Sequence, residues 1–409
     1  MALWVKKFGG TSMADLHCMQ AVAAIIKRAY DGGSQCVVVV SAAAGHTDQL
    51  VNAANTITPL PQPREYDVLL AAAEQTSAAL LSILLCQQAI PAVSLTGQQA
   101  GILTNDHHNK ADIIKVDTSA IEALLAQGKV VVVTGFQGVN RAGEITTLGR
   151  GGSDMSAVVL AGALKAQACY IYSDVKGVYS ADPRLVPSAY RLDEISLTHM
   201  QQMAKLGAQV MQQQALDYCY QHEVPLRIAS TFEPDQGTLI TQAHQPTRPW
   251  TGVTCQTSQV QFTLSGINDW ESSASALRRA MQAAKLEIDL VMQSHVADGR
   301  CGDLHFTVAG EDYHATHVIM DELQQAGHIA AVRDDPAVAK VSLVGHDVMA
   351  QPAVATEILS QLSAQGIKVR WFSSTAARMT WVVPQHQMPI LAGWLHDQYL
   401  LPLRHLVSS

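Results

Sequence analysis

Two runs of four valines, Val37–Val40 and Val130–Val133, constrain this chain more than any other feature. A strand with one wet face alternates apolar and polar residues, whereas an unbroken β-branched run must be covered on both faces. Such strands belong to a largely parallel sheet with helices above and below it. The neighbouring sequence supplies both kinds of element. Leu3–Phe8, Ala92–Leu95, Ala168–Tyr172 and Leu226–Ala229 are further strand-sized runs. Asp15–Tyr30, Glu65–Cys86 and Asp154–Ala166 read as helices, the first with Met19, Val22, Ile26 and Tyr30 on one face. Residues 1–245 are therefore expected to form one α/β domain.

The pattern changes at Gln242–Pro249, a polar segment with two prolines. Residues 246–259 read as a linker and the first strand of a second region. Beyond them the spacing shortens and repeats. Val260–Gly266, a helix around Trp270–Lys285 and Ile288–Gln293 form one strand–helix–strand unit, and Lys340–Gly345, Val354–Gln365 and Val369–Ser373 form another. Each continues with a strand and a helix, Leu304–Val308 with Tyr313–Gln325, then Met379–Val383 with Met388–Gln398. The expectation is two ferredoxin-like βαββαβ domains, at 260–335 and 336–409.

Composition narrows the partners. A chain of 409 residues is longer than one core usually serves. Its net charge of −8, without a long basic run, argues against nucleic acid. The seven cysteines are scattered without C-x-x-C spacing, as expected of free thiols in a reducing cytoplasm. The apolar start is too short for a signal peptide and the valine runs are too short to cross a membrane. The reading is a cytoplasmic protein with no membrane partner.

Four segments carry chemistry. Lys7-Phe8-Gly9-Gly10-Thr11-Ser12 joins a strand to a helix. Its glycines permit close approach to a phosphate, the helix start offers N–H groups, and Lys7 adds a point charge. It lacks Walker spacing. Ser41–Asp48, after the first valine run, places small residues and Gly45 at a strand's carboxyl end, where parallel sheets bind ligands. Thr134–Gly138 and Gly143–Asp154 surround Arg150 with glycines, room for a bidentate grip on a carboxylate, and Ser153-Asp154 opens a helix. Tyr172–Arg184 offers an aromatic, acids and an arginine after a strand. Taken singly, most of these also read as ordinary turns and helix caps.

Together and in this order, KFGGTS, the Gly-His-Thr turn, Glu74 with Ser77, GFQG, GEITTLGRGGSD, DVKGVY with its DPR, and Arg191–Ser196 resemble the aspartokinase branch of the amino acid kinase family. The tail resembles that branch's paired ACT domains, so the likeness covers nearly the whole chain. The resemblance implies an αβα sandwich with a mainly parallel sheet, and ATP-dependent phosphorylation of the aspartate side chain with Mg²⁺ carried on ATP. It implies that Lys7, Gly10 and Asp154 serve catalysis. Thr47, Glu74, Phe136, Arg150, Gly151, Ser153 and Asp154 would hold the amino acid. Lys7, Gly9, Gly10, Ser12, Ser173, Asp174, Tyr179 and Arg184 would hold ATP, with no protein metal cage. Asn268, Asp269, Ile288 and Gln293 would contact a feedback effector, lysine or threonine or both. A homodimer through the ACT domains is implied, with a homotetramer as the alternative.

The chain departs from that pattern where relatives carry Gly-Ala-Lys-Val-x-His-Pro-Arg. Here Gln209 replaces the lysine and Gln212–Gln214 replace His-Pro-Arg, with Lys205 the nearest compensating cation. Ala73 stands where a glycine usually precedes Glu74. The first ACT unit lacks Asp-x-Pro-Gly, and Phe372–Thr375 in the second reads as packing between ACT domains. Two rivals follow: an acyl kinase acting on glutamate or N-acetylglutamate, and a non-catalytic amino-acid sensor with a decayed kinase domain.

Overall fold

The valine runs lie side by side in the middle of an eight-stranded sheet, paired in parallel from Val37 against Val131 to Val40 against Thr134. The computed structural model describes residues 2–149, 151–208, 210–233, 236–242, 249–267, 269–295, 301–346, 348 and 352–404. Residues 1–179 with 190–247 form one unit, and residues 180–189 with 248–409 form the other.

In the first unit the elements are β1 (Leu3–Phe8), α1 (Leu16–Asp31), β2 (Gln35–Val40), α2 (His46–Ile57), α3 (Pro63–Gln87), β3 (Ala92–Leu95), β4 (Ile102–Thr104), β5 (Ile113–Val116), α4 (Ser119–Ala126), β6 (Val130–Thr134), β7 (Gln137–Val139), β8 (Ile145–Thr147), α5 (Gly152–Ala163), β9 (Ala168–Ser173), β10 (Glu194–Ser196), α6 (Leu197–Lys205), α7 (Gln213–His222), β11 (Leu226–Ser230) and β12 (Thr238–Thr241). The large sheet runs β10-β12-β11-β9-β1-β2-β6-β3, parallel except between β11 and β12. Phe8, Val38 and Val40 pack on α1 and α3 through Met19, Val22, Ile26, Leu81 and Leu85. Val37 and Val39 are as deeply buried, and strand alternation turns them to the other face, which α5 covers. A sheet sandwiched in this way explains why its strands read as continuous apolar runs.

A smaller sheet, β5-β4-β7-β8, takes β7 and β8 from the glycine-rich third motif and β4 and β5 from residues 102–116, where the sequence shows no element. Its strands have three or four residues, too short to announce themselves by periodicity. Helix α3 is long and apolar enough, by length and composition, to cross a membrane. Half of that stretch is buried inside the unit, and Asp67, Glu74 and Ser77 are among its buried residues. It is the core helix that both sheets share.

The second unit contains β13 (Trp250–Ser265), α8 (Trp270–Ala283), β14 (Asp289–His295), β15 (Cys301–Ala309), α9 (Tyr313–Gln325), β16 (Ala331–Gly345), α10 (Pro352–Ala364), β17 (Trp371–Thr375), β18 (Arg378–Pro384) and α11 (Met388–Tyr399). One antiparallel sheet, β14-β15-β13-β16-β18-β17, runs through it. Strand β13 fuses the strand expected within residues 246–259 with the one expected at Val260–Gly266, and β16 begins at Ala331 rather than Lys340. Each serves two cores. From Gln259 onward β13 joins β15 and the first half of β16 over a core of Phe262, Phe306, Leu264 and Met320. The start of β13, through Trp250 and Val253, joins the end of β16, β18 and α11 around Trp381, Leu343 and Leu395. A register shift between Gln256 and Gln259, with Ser258 at φ +53°, divides the halves. Two ferredoxin-like folds are thus threaded together, the first inserted after the opening strand of the second. Ala181 of the fourth motif and Val186, two residues beyond it, belong to the second of these cores.

Candidate active site

The carboxyl ends of β1, β2 and β6 converge on the first three motifs. After β1, the Gly9 N–H donates to the Tyr172 carbonyl (3.1 Å) and Gly10 starts a 3-10 turn over Gly10–Met13. A Cβ on Gly10 would come within 2.9 Å of the Ala42 carbonyl oxygen, and the Ala44 N–H donates to the Gly10 carbonyl at 3.0 Å. The glycine turn therefore lies directly against the loop after β2, which only a residue without a side chain permits. A Cβ on Gly9 would sit 3.7 Å from the Lys7 ammonium, so glycine keeps the space beside that charge clear. Gly45, at φ +77°, starts α2, and Thr47 stands half-buried in its first turn. Ser12 is buried and its hydroxyl is shared with Thr231 at 2.7 Å.

Alternation along β1 sends Lys7 toward α5, where its ammonium meets Asp154 Oδ1 at 2.7 Å. Asp154 is in the first turn of α5, a position that favours a carboxylate. Glu74 of α3 is 4% exposed. Its Oε1 accepts the Ala42 N–H at 3.2 Å, while its buried Oε2 has no hydrogen-bond partner among the described residues. Burial pushes the Glu74 carboxyl up to about 7, against the opposing effect of backbone N–H groups. An orphan carboxylate oxygen in a buried wall is the complement of a cation that the protein does not supply.

Between β6 and α5 the chain is strained and tightly fitted. Phe136 adopts φ +69°, held by the Ser156 hydroxyl, which accepts its N–H at 3.1 Å, and by the Leu148 N–H on its carbonyl at 2.9 Å. Gly135 and Gly152 have no room for a Cβ, being pressed on Ser153 and on Leu148 with Phe136. Ser153 is buried, and Gly151 caps α5 in the left-handed region at φ +71°. Arg150 lies outside the described residues, as do Gln209 and Asn268. Gln212, one of the departures noted above, packs directly on Gly151.

A cluster that sequence reading missed supports the smaller sheet. Buried Asp67 of α3 accepts from the Thr147 hydroxyl at 2.5 Å and the Asn109 N–H at 3.1 Å, and its Oδ2 is 2.6 Å from His108 Nδ1. Gln137 donates to the Ala71 carbonyl of the same helix at 2.9 Å. The available signal was a pair of acids seven residues apart, Asp67 and Glu74, on one face of an apolar helix.

The fourth motif is divided. Ser173 ends β9 and its hydroxyl accepts the Val175 N–H at 3.3 Å; Asp174 is exposed, and Tyr179 bridges to Arg191. Arg184 belongs to the other unit, largely exposed and paired with Asp182 at 2.7 Å. There too, Asp269 caps α8 by accepting the Ser272 N–H at 3.2 Å, Ile288 packs on the first ferredoxin-like core, and Gln293 pairs with Leu304 in the sheet. No group of three or more His, Cys, Asp or Glu side chains able to hold a metal occurs among the described residues.

Comparison with known proteins places these features. The sequence model of the amino acid kinase family matches residues 2–230. The aspartate kinase of Stutzerimonas stutzeri (strain A1501) is 38% identical over 405 residues, covering 98% of each chain. Two crystal structures of E. coli aspartokinase III share the fold: the complex with aspartate and ADP (TM-score 0.80, 24% identity, 97% of this chain and 99% of that one), and the complex with lysine and aspartate (TM-score 0.77, 23% identity, the same coverage).

Proposed function

The chain belongs to the amino acid kinase family, and from that premise we propose that it is an aspartate kinase, transferring the γ-phosphoryl group of ATP to the side-chain carboxylate of L-aspartate to give 4-phospho-L-aspartate. The observation that carries the reading is the glycine turn with charged groups around it: Glu74, with its orphan oxygen, held on the Ala42 N–H that adjoins Gly10, and the Lys7–Asp154 pair beside Gly9. A zwitterionic substrate needs an anion for its ammonium group, here Glu74 with Asp154, and a cation for its α-carboxylate, here Arg150. Thr47, Phe136, Gly151 and Ser153 line the same pocket. The nucleophile is a carboxylate with an ordinary pKa of about 4, already ionised at neutral pH, so no catalytic base is required. The task is to suppress repulsion between it and the phosphates. Lys7, fixed by Asp154, and the N–H group of Gly10 do this by preorganised charge, while the Gly9 N–H, donated to Tyr172, holds the turn in place. Ser12, Ser173, Asp174 and Tyr179 are assigned to ATP. Mg²⁺, carried on the nucleotide, supplies further positive charge.

The second unit is assigned to feedback control of lysine, threonine and methionine synthesis, with lysine or threonine bound near Asn268, Asp269, Ile288 and Gln293. A homodimer through the ACT domains in the cytoplasm completes the reading. A hydroxamate assay with aspartate, glutamate and N-acetylglutamate tests the chemistry. Turnover of aspartate alone is expected; preference for glutamate, or no turnover at all, overturns it. Thermal-shift titration with lysine and threonine tests sensing, and no shift with either removes the regulatory assignment.

A further inference from the structure

Lysines 6 and 7 are neighbours on β1, so alternation turns Lys6 to the face opposite the catalytic cleft. There it enters a pocket of about 790 Å³ between α1 and the ends of β9 and β11. Lys6 is 6% exposed. Its ammonium stands 4.3 Å from the centre of the Tyr170 ring and 5.4 Å from that of Tyr172, and its nearest oxygen partner is the Tyr172 hydroxyl at 3.4 Å. Arg28 of α1 lines the same pocket. Neither cation has a carboxylate partner among the described residues, and none of the described lining residues is acidic. Ser230, Thr231 and Gln236 complete the polar wall, with the Thr231 hydroxyl on Ser12 and the Ser230 hydroxyl accepting the Phe232 and Glu233 N–H groups. Burial draws the Lys6 ammonium below the ordinary lysine range; the Cys36 thiol opposes this and Arg28 adds to it.

A buried charge is normally paired. Cation–π contact with a tyrosine offsets part of the lost hydration but leaves two of the three N–H donors without an acceptor. Two cations on one polar-walled pocket are the complement of a ligand with two negative charges. We propose that this pocket is a second binding site, for a small organic anion carrying a phosphate or a pair of carboxylates, gripped between Lys6 and Arg28 with its carbon part against Tyr170 and Phe232.

The glycine turn also attracts phosphate, so the test fills it first. The full chain, saturated with MgADP and aspartate, is titrated calorimetrically with inorganic phosphate and, separately, with succinate. Saturable binding of at least one probe, one per chain, is expected. Arg28→Gln and Lys6→Met should each weaken it by about tenfold or more, since each removes a charge-assisted hydrogen bond, and should leave turnover in probe-free buffer within about threefold. Phosphate alone marks a phosphorylated ligand, and succinate alone a dicarboxylate; both results support the site. No saturable binding, or equal binding in the variants, overturns it. Arg28 is exposed, so its variant carries the test if Lys6→Met does not fold. Dependence on Lys6 and Arg28 is read whether or not ADP and aspartate bind, so failure of the kinase reading is a separate result.

Discussion

Each unit holds one lysine against an aspartate at 2.7 Å, and the two pairs do different work. Lys7–Asp154 joins the end of a parallel strand to the first turn of a helix, with both side chains 12% exposed. Glycine keeps the space beside the Lys7 ammonium open. Lys340 sits in the middle of an antiparallel strand, 3% exposed, and meets Asp289 with Arg378 nearby. Burial draws Lys340 down despite Asp289. The identical pair is an electrostatic tool where strand ends leave backbone and space for a ligand, and a structural fastening where neighbouring strands enclose it.

The sharpest break in that contrast comes from Lys7→Ala. Turnover should fall about 1,000-fold, the scale of a lost preorganised charge, and stability by about 1–3 kcal/mol, because Asp154 loses its partner. A residual rate near wild type would end the assignment of Lys7.

Glu74→Gln is next. The folded-state pKa lies near 7 against an ordinary 4.5, so the folded protein holds a proton that the unfolded chain releases between those values. Stability of the ligand-free protein therefore falls as pH rises from 4.5 to 7 and levels off above, by at most about 3 kcal/mol. The glutamine variant should lose that slope, be more stable at pH 8 in urea titrations, and raise the KM for aspartate by about tenfold, one charge-assisted contact. An unchanged KM would separate Glu74 from the substrate.

Lys340→Ala should spare the turnover that Lys7→Ala removes. It leaves a partly exposed Asp289, so a loss of about 1–3 kcal/mol in stability is expected, with turnover without effector within about threefold. A catalytic defect instead would erase the difference between the pairs. The smallest effect is expected of Gln209→Lys, which adds a phosphate-seeking charge and should lower the KM for ATP by roughly threefold, a fraction of a charge-assisted contact; no change would show that the position is idle in this chain.

Much of this was legible in residue order. Strands with both faces apolar reported a covered parallel sheet, and glycines marked close approach, of backbone to backbone beside Lys7 and of backbone to side chains around Phe136. The short strands β4, β5, β7 and β8 were not legible, because three or four residues carry no period. Nor was the double use of β13 and β16, because a strand's pairing partners are set by its neighbours and not by its own pattern.

Local chemistry fixed the architecture class, the repeat in the tail and the residue types of the cleft. Only folding in three dimensions decided which charges met: that Lys7 found Asp154 while Lys6, one residue earlier, was left facing Arg28 across a pocket, and that one oxygen of Glu74 stayed unpaired. Propensity and pattern act over a few residues along the chain, whereas desolvation and Coulomb energy depend on distances through space that no spacing in the sequence encodes.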